Sequence, residues 1–209
     1  MGNAPLIFLD VDTQRDFLLD DGALPVPEGK AVIPIIQRLV GHAFTHDVPV
    51  VSTMDCHVRD DPEFADFPPH CVKGTRGQLK IDGTTLGNAL IVTDNPDAPP
   101  DDEAILAARQ IIIEKGVLDV FETAHAERVL DVLGPRLVIV FGVATEYCVR
   151  LAVLGLCARG YRTIVVRDAV AGVDALAARS ALTEMRRAGA TFITGPEILA
   201  RADPTELSV

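Results

Sequence analysis

A cysteine placed where an apolar strand gives way to a helix is a candidate nucleophile, and residues 137–149, LVIVFGVATEYCV, offer one in Cys148. Residues 137–141 are short, apolar and rich in β-branched side chains, so they read as a buried strand that Gly142 breaks. From Cys148 onward the apolar spacing turns helical through Val149, Ala152, Val153 and Leu156. Free N–H groups and the positive dipole end at a helix N-terminus favour thiolate over thiol, and the same N–H groups could hold an oxyanion. The alternative is an inert buried thiol, the usual state of a free cysteine.

Other reactive side chains follow strands elsewhere. Asp12 comes after PLIFLDV, Asp55 and His57 after residues 48–53, Lys115 after RQIIIE and Asp168 after residues 163–166. In a parallel sheet ligands bind beyond the carboxyl ends of the strands, which would gather these groups at one edge. There an aspartate could take the thiol proton and return it to a leaving amine, while a lysine stabilises carboxylate and thiolate together. Asp168 has the plainer reading of a strand terminator.

Asp55 and His57 are spaced i, i+2, so on a strand end they point the same way, and His70 could return from the following loop as a third ligand. Three O/N ligands leave positions for water or substrate, as a catalytic metal site requires. Cys56, His57, His70 and Cys71 offer a competing structural zinc site, against which stands the opposite facing of neighbours in an extended chain. A chain without metal is the third alternative.

These residues need a frame. The 209 residues suffice for one α/β domain over 1–209, with a core built from Val, Ile, Leu and Ala because aromatics make up only 5%. A formal charge of −11 argues against nucleic acid or an anionic membrane as partner, since either needs a positive face. Four cysteines are too few for a disulfide-stapled secreted domain, and MGNAPLIFLDVD turns acidic too soon for a signal peptide, so a cytoplasmic location is expected.

Strands are predicted at 5–11, 48–53, 89–93, 109–114, 137–141, 163–166 and 191–194. Helices are predicted at 30–46, 123–133, from 148 onward and at 176–188, with Pro34 tolerable only in a first turn. Residues 58–77 form a long irregular stretch that suggests function or a lid. Residues 78–100 carry little periodicity, and 94–102 is an acidic, proline-rich loop. Alternating strands and helices imply a three-layer fold, a mostly parallel sheet with helices on both faces.

In order along the chain, DTQRDF (12–17), GALPVPEG (22–29), MDCH (54–57), PPHCVKGT (68–75), IIIEK (111–115), GVATEYCV (142–149) and RDAVAG (167–172) resemble the isochorismatase-like cysteine hydrolases, and among them the nicotinamidases. The resemblance implies a Rossmann-like sheet and a triad of Cys148 as nucleophile, Asp12 as general acid/base and Lys115. It places the oxyanion hole at the N–H groups of Ala144 and Cys148, with a cis peptide between Val143 and Ala144. It makes Asp55, His57 and His70 the ligands of a divalent metal, zinc first, with iron or manganese as alternatives. In nicotinamidases this metal holds the pyridine nitrogen. Phe17, Phe67, Val143 and Tyr147 would line the substrate pocket, and a small amide substrate and a homo-oligomer are expected.

Departures from the family pattern point to the pocket. Cys56 stands where an aromatic is usual, Phe67 replaces a tryptophan, and GVLDVFET follows Lys115 in place of an aromatic-Ser-Gly-Phe segment. Residues 79–108 look like an insertion beside the site. The alternatives are therefore a related hydrolase of another amide, ureide or carbamoyl compound, or a catalytically silent ligand-binding protein.

Overall fold

The computed structural model describes residues 6–201. Seven strands, β1 (Leu6–Val11), β2 (Val50–Asp55), β3 (Leu90–Val92), β4 (Gln110–Lys115), β5 (Leu137–Val143), β6 (Arg162–Ala171) and β7 (Thr191–Ile193), form one parallel sheet in the order β3-β4-β2-β1-β5-β6-β7. The chain builds outward from β1 on one side through β2 to β4. It then returns to add β5 on the other side, so the order reverses at β1. Such a reversal opens a crevice beyond the carboxyl ends of the neighbouring strands.

The helices are α1 (Arg15–Leu18), α2 (Gly29–Thr45), α3 (Asp102–Ala107), α4 (Ala126–Leu133), α5 (Arg150–Ala158), α6 (Ala175–Arg187) and α7 (Gly195–Leu199). Alternate residues of β1 point to opposite cores. Leu6 and Phe8 join Ile36, Leu39 and Ile198 under α2 and α7, whereas Ile7 and Leu9 join Val129, Val153 and Met185 under α4, α5 and α6. Continuous apolar strands, buried on both faces, are the expected sequence of such a sheet.

All seven predicted strands are present, though Pro5 lies outside the described residues. Three local expectations are corrected. Gly142 does not end its strand. It stays in β5 at a shift of register against β6, with φ 123°, and a Cβ there would lie 2.0 Å from the Val11 carbonyl oxygen. A bulge that needs both positive φ and close backbone approach admits only glycine. Gly142→Ala is therefore expected to destabilise the fold by at least about 3 kcal/mol, measured by urea denaturation. Pro34 falls within the second turn of α2 because the helix starts at Gly29, and its ring leaves the Lys30 carbonyl without the usual helical donor. The helix after Cys148 begins at Arg150, since Tyr147 holds a non-helical conformation (φ −109°, ψ −110°) within the wide π-type turn Thr145–Val149.

Residues 79–108 are integrated into the fold beside the site. Lys80, Ile81 and Thr84 are buried, β3 adds an edge strand, and α3 starts from an Asp101 cap that no apolar periodicity announced. Asp168 does not terminate its strand: it lies inside β6, which runs on to Ala171, and its Oδ1 accepts from Gly195 N (2.7 Å) at the start of α7.

Candidate active site

Four strand ends converge. β1 delivers Asp12, β4 ends at Lys115 beside Asp55 of β2, and the turn after β5 carries Cys148. All four side chains are buried. Lys115 Nζ lies 3.6 Å from Cys148 Sγ and 3.0 Å from Asp12 Oδ2, donates to Val117 O at 3.1 Å and pairs closely with Asp55 Oδ1. Asp12 sits in the left-handed region at φ 46°, which aspartate tolerates better than most residues. Its N–H donates to Thr53 Oγ1 (3.1 Å) and its Oδ1 accepts from the Thr53 hydroxyl (2.6 Å). Oδ2 makes no aligned hydrogen bond, so it keeps a lone pair for a proton from the thiol.

Burial pushes the Cys148 thiol well up; Lys115 opposes this, and Asp12 and Asp55 reinforce it. This opposes the thiolate expected from a helix N-terminus: Cys148 lies two residues before α5, within the wide turn, and burial beside two carboxylates favours the thiol. Attack then needs a base. Burial raises Asp12 as well, against the pull of Lys115, which makes it a stronger base than an ordinary carboxylate. For Lys115 burial acts downward, but Asp12 and Asp55 outweigh it and keep the ammonium charged.

Above this floor lies a cavity of about 150 Å³. Phe17, Phe67, Val143 and Tyr147 line it as predicted, with Ala144 and Cys148 at its base, and the Val143–Ala144 peptide is cis. Leu24, Val26, Leu118 and Val173 complete the apolar wall. Sequence reasoning missed them because single apolar residues in loops carry no periodic signal. The 58–77 segment supplies Glu63, Phe67 and His70 to the wall. His70 is held among Phe17, Phe64 and Phe67 at ring-centroid separations of 5.3, 5.7 and 6.3 Å.

Asp55, His57 and His70 bring one ligand atom each within 4.8 Å of one another. Nε2 of His57 is 3.7 Å, and Nε2 of His70 3.9 Å, from Asp55 Oδ2. The outer nitrogens are engaged: Nδ1 of His57 meets Asp61 Oδ2 (3.1 Å) and Nδ1 of His70 meets Pro68 O (2.8 Å). Such outer partners leave Nε2 as the lone-pair donor, and His57 Nε2 is buried without a hydrogen-bond partner. The donor set fits a divalent cation. Burial lowers the His57 imidazole, but Asp55, Asp61 and Glu63 together hold it at about 9, a measure of the negative field there. Glu63, 3.8 Å from His70 Nε2, is a further carboxylate at this wall that the motifs did not flag. The rival cysteine site is not formed: Cys56 faces Glu114 and Lys73, and Cys71 packs into the core under α2.

The isochorismatase domain model matches residues 6–197. The chain belongs to the isochorismatase family. It is 29% identical to the nicotinamidase of Escherichia coli, over 91% of this chain and 95% of that one. It is 30% identical to the nicotinamidase/pyrazinamidase of Mycobacterium tuberculosis, over 88% and 95%. The crystal structure of the Pyrococcus horikoshii pyrazinamidase in complex with zinc superposes with a TM-score of 0.75 at 29% identity, covering 91% of this chain and 99% of that one. With these relatives the chain is a hydrolase of C–N bonds, and Cys148 and Asp12 line its cavity with Lys115 beside them.

Proposed function

We propose that this isochorismatase-family enzyme is a metal-dependent amidase that hydrolyses nicotinamide, or a similarly flat and uncharged amide, through a thioester on Cys148. The observation that carries this reading is one cavity lined by Cys148 and Asp12, with Lys115 close behind them, and by Asp55 and His70, which with His57 form an Asp–His–His donor set. The cavity lining includes no arginine or lysine, and the nearby Lys115 already faces two carboxylates. A carboxylate-bearing substrate would find no arginine or lysine partner in this lining, which favours an uncharged one.

Asp12 Oδ2 takes the Cys148 proton as sulfur bonds to the amide carbon, and the N–H groups of Ala144 and Cys148 receive the developing oxyanion. Lys115 stays protonated and stabilises both the carboxylate and the sulfur. Asp12 gives the proton to the departing nitrogen as the C–N bond breaks and ammonia leaves. It then takes a proton from water as that water attacks the thioester, and the proton returns to sulfur when the acid is released. A divalent cation held by Asp55, His57 and His70 would supply a Lewis-acidic anchor for a ring nitrogen. Phe17, Phe67 and Tyr147 offer faces for a flat ring, and Phe67 and Tyr147 themselves meet edge to face at 5.9 Å.

The test is ammonia release from nicotinamide by zinc-loaded protein, with metal content assayed on the same preparation. Release is expected, and His57→Ala should lower bound zinc by at least about ten-fold, in keeping with the loss of a direct ligand. A folded, zinc-loaded enzyme that releases no ammonia from nicotinamide would reject that substrate.

A further inference from the structure

Directly beneath the site, on the α2 side of the sheet, lies a second buried ion pair that the chemistry above does not use. Asp10 Oδ2 and Lys80 Nζ are 3.0 Å apart, and both side chains are almost wholly buried. Asp10 lies near the end of β1, two residues before Asp12. Its Oδ2 also accepts from Ser52 Oγ (3.0 Å), and Gln110 Nε2 donates to the same hydroxyl (2.8 Å), making a polar lane across three strands. The irregular segment carrying Lys80 lies over this lane. Ile81 N donates to Thr13 O, and Gln110 takes the Thr84 carbonyl and the Leu86 N–H.

Lys80 also reaches the catalytic side. Its Nζ donates to the carbonyl of Thr53 (3.2 Å), one residue past the Asp10–Ser52 pair at which the β1–β2 ladder ends. The Thr53 hydroxyl in turn is bonded to Asp12 twice, accepting from its N–H and donating to Oδ1. We infer that Asp10 and Lys80 are positioning residues for the reaction. They fix Thr53, and Thr53 occupies one oxygen of Asp12 so that the other faces Lys115 and the thiol. Released from Thr53, the carboxylate could rotate toward the Lys115 ammonium, so that no free lone pair of Asp12 is aimed at the thiol. Stability alone does not call for an ion pair here, because apolar side chains of similar volume commonly replace buried pairs without loss.

The inference rests on Asp12 being the base for Cys148, and the experiment separates the two ideas. The readouts are kcat and KM for ammonia release, and the rate of Cys148 carboxamidomethylation by iodoacetamide followed by peptide mass spectrometry, which needs no knowledge of the substrate. Asp12→Asn is expected to slow alkylation; if it does not, both readings fall. The apolar swap Asp10→Leu/Lys80→Met should fold with wild-type denaturant resistance, keep KM, and lose about ten-fold in kcat and alkylation rate, as misplacement of a catalytic group does. Thr53→Val should show the same loss, and combining it with the swap should add nothing. Should the apolar swap not fold, Asp10→Asn/Lys80→Met, which keeps a partner for Ser52, carries the same expectation. A folded variant of the pair with unchanged kcat and alkylation, or losses that add to those of Thr53→Val, would overturn the assignment.

Discussion

Cys148→Ala is expected to lower ammonia release by at least about 10⁴-fold while leaving zinc content and the folded state unchanged, since removing a nucleophile leaves only binding and oxyanion stabilisation. The side chain is small and touches Lys115 rather than supporting a helix, so its loss creates little empty volume. Circular dichroism, metal analysis and the ammonia assay on one preparation make the comparison. Residual release within about ten-fold of wild type would remove Cys148 from the chemistry and return the site to a hydrolysis by activated water.

Lys115→Met should combine a large loss of stability with a large loss of rate. The ammonium is enclosed by Asp12, Asp55 and Cys148, with the Val117 carbonyl as a further acceptor. Without it two buried carboxylates face each other uncompensated, for which about 3–5 kcal/mol of destabilisation is expected. Asp55 would also lose the partner that now helps hold its carboxyl below the ordinary range against the upward push of burial. The rate should fall by about 10²–10³-fold, the usual effect of removing one preorganised electrostatic group. Urea denaturation and kcat at saturating amide check the two parts separately. A variant as stable as wild type would mean that one of the two carboxylates is already protonated at rest.

Much of this was legible in the chain itself. Continuous runs such as LIFLDV and QIIIEK could only be strands buried on both faces, and once they alternate with amphipathic helices a parallel sheet follows. Asp12, Lys115 and Cys148 each follow such a run, so their meeting at one edge is a consequence of strand direction rather than of any motif. The Asp55–His57 spacing likewise carries its own geometry.

What sequence could not supply was the state of each group once enclosed. The thiolate reading of Cys148 is opposed by the burial and the two carboxylates that only folding brings near it, which a local dipole argument omits. Glu63 and Leu118 come to the cavity from irregular loops, where no periodicity announces a neighbour. The 79–108 segment reads as an addition beside the site because it departs from the family pattern, which says nothing of its contacts; in the fold Lys80 is paired with Asp10 across a separation of 70 positions. Strand runs and motif spacing determined the sheet and the identity of the reactive groups, since both depend on short-range pattern. Protonation, cavity shape and the support of Asp12 were decided by tertiary structure, because electrostatic and packing energies depend on distances between residues far apart in the chain.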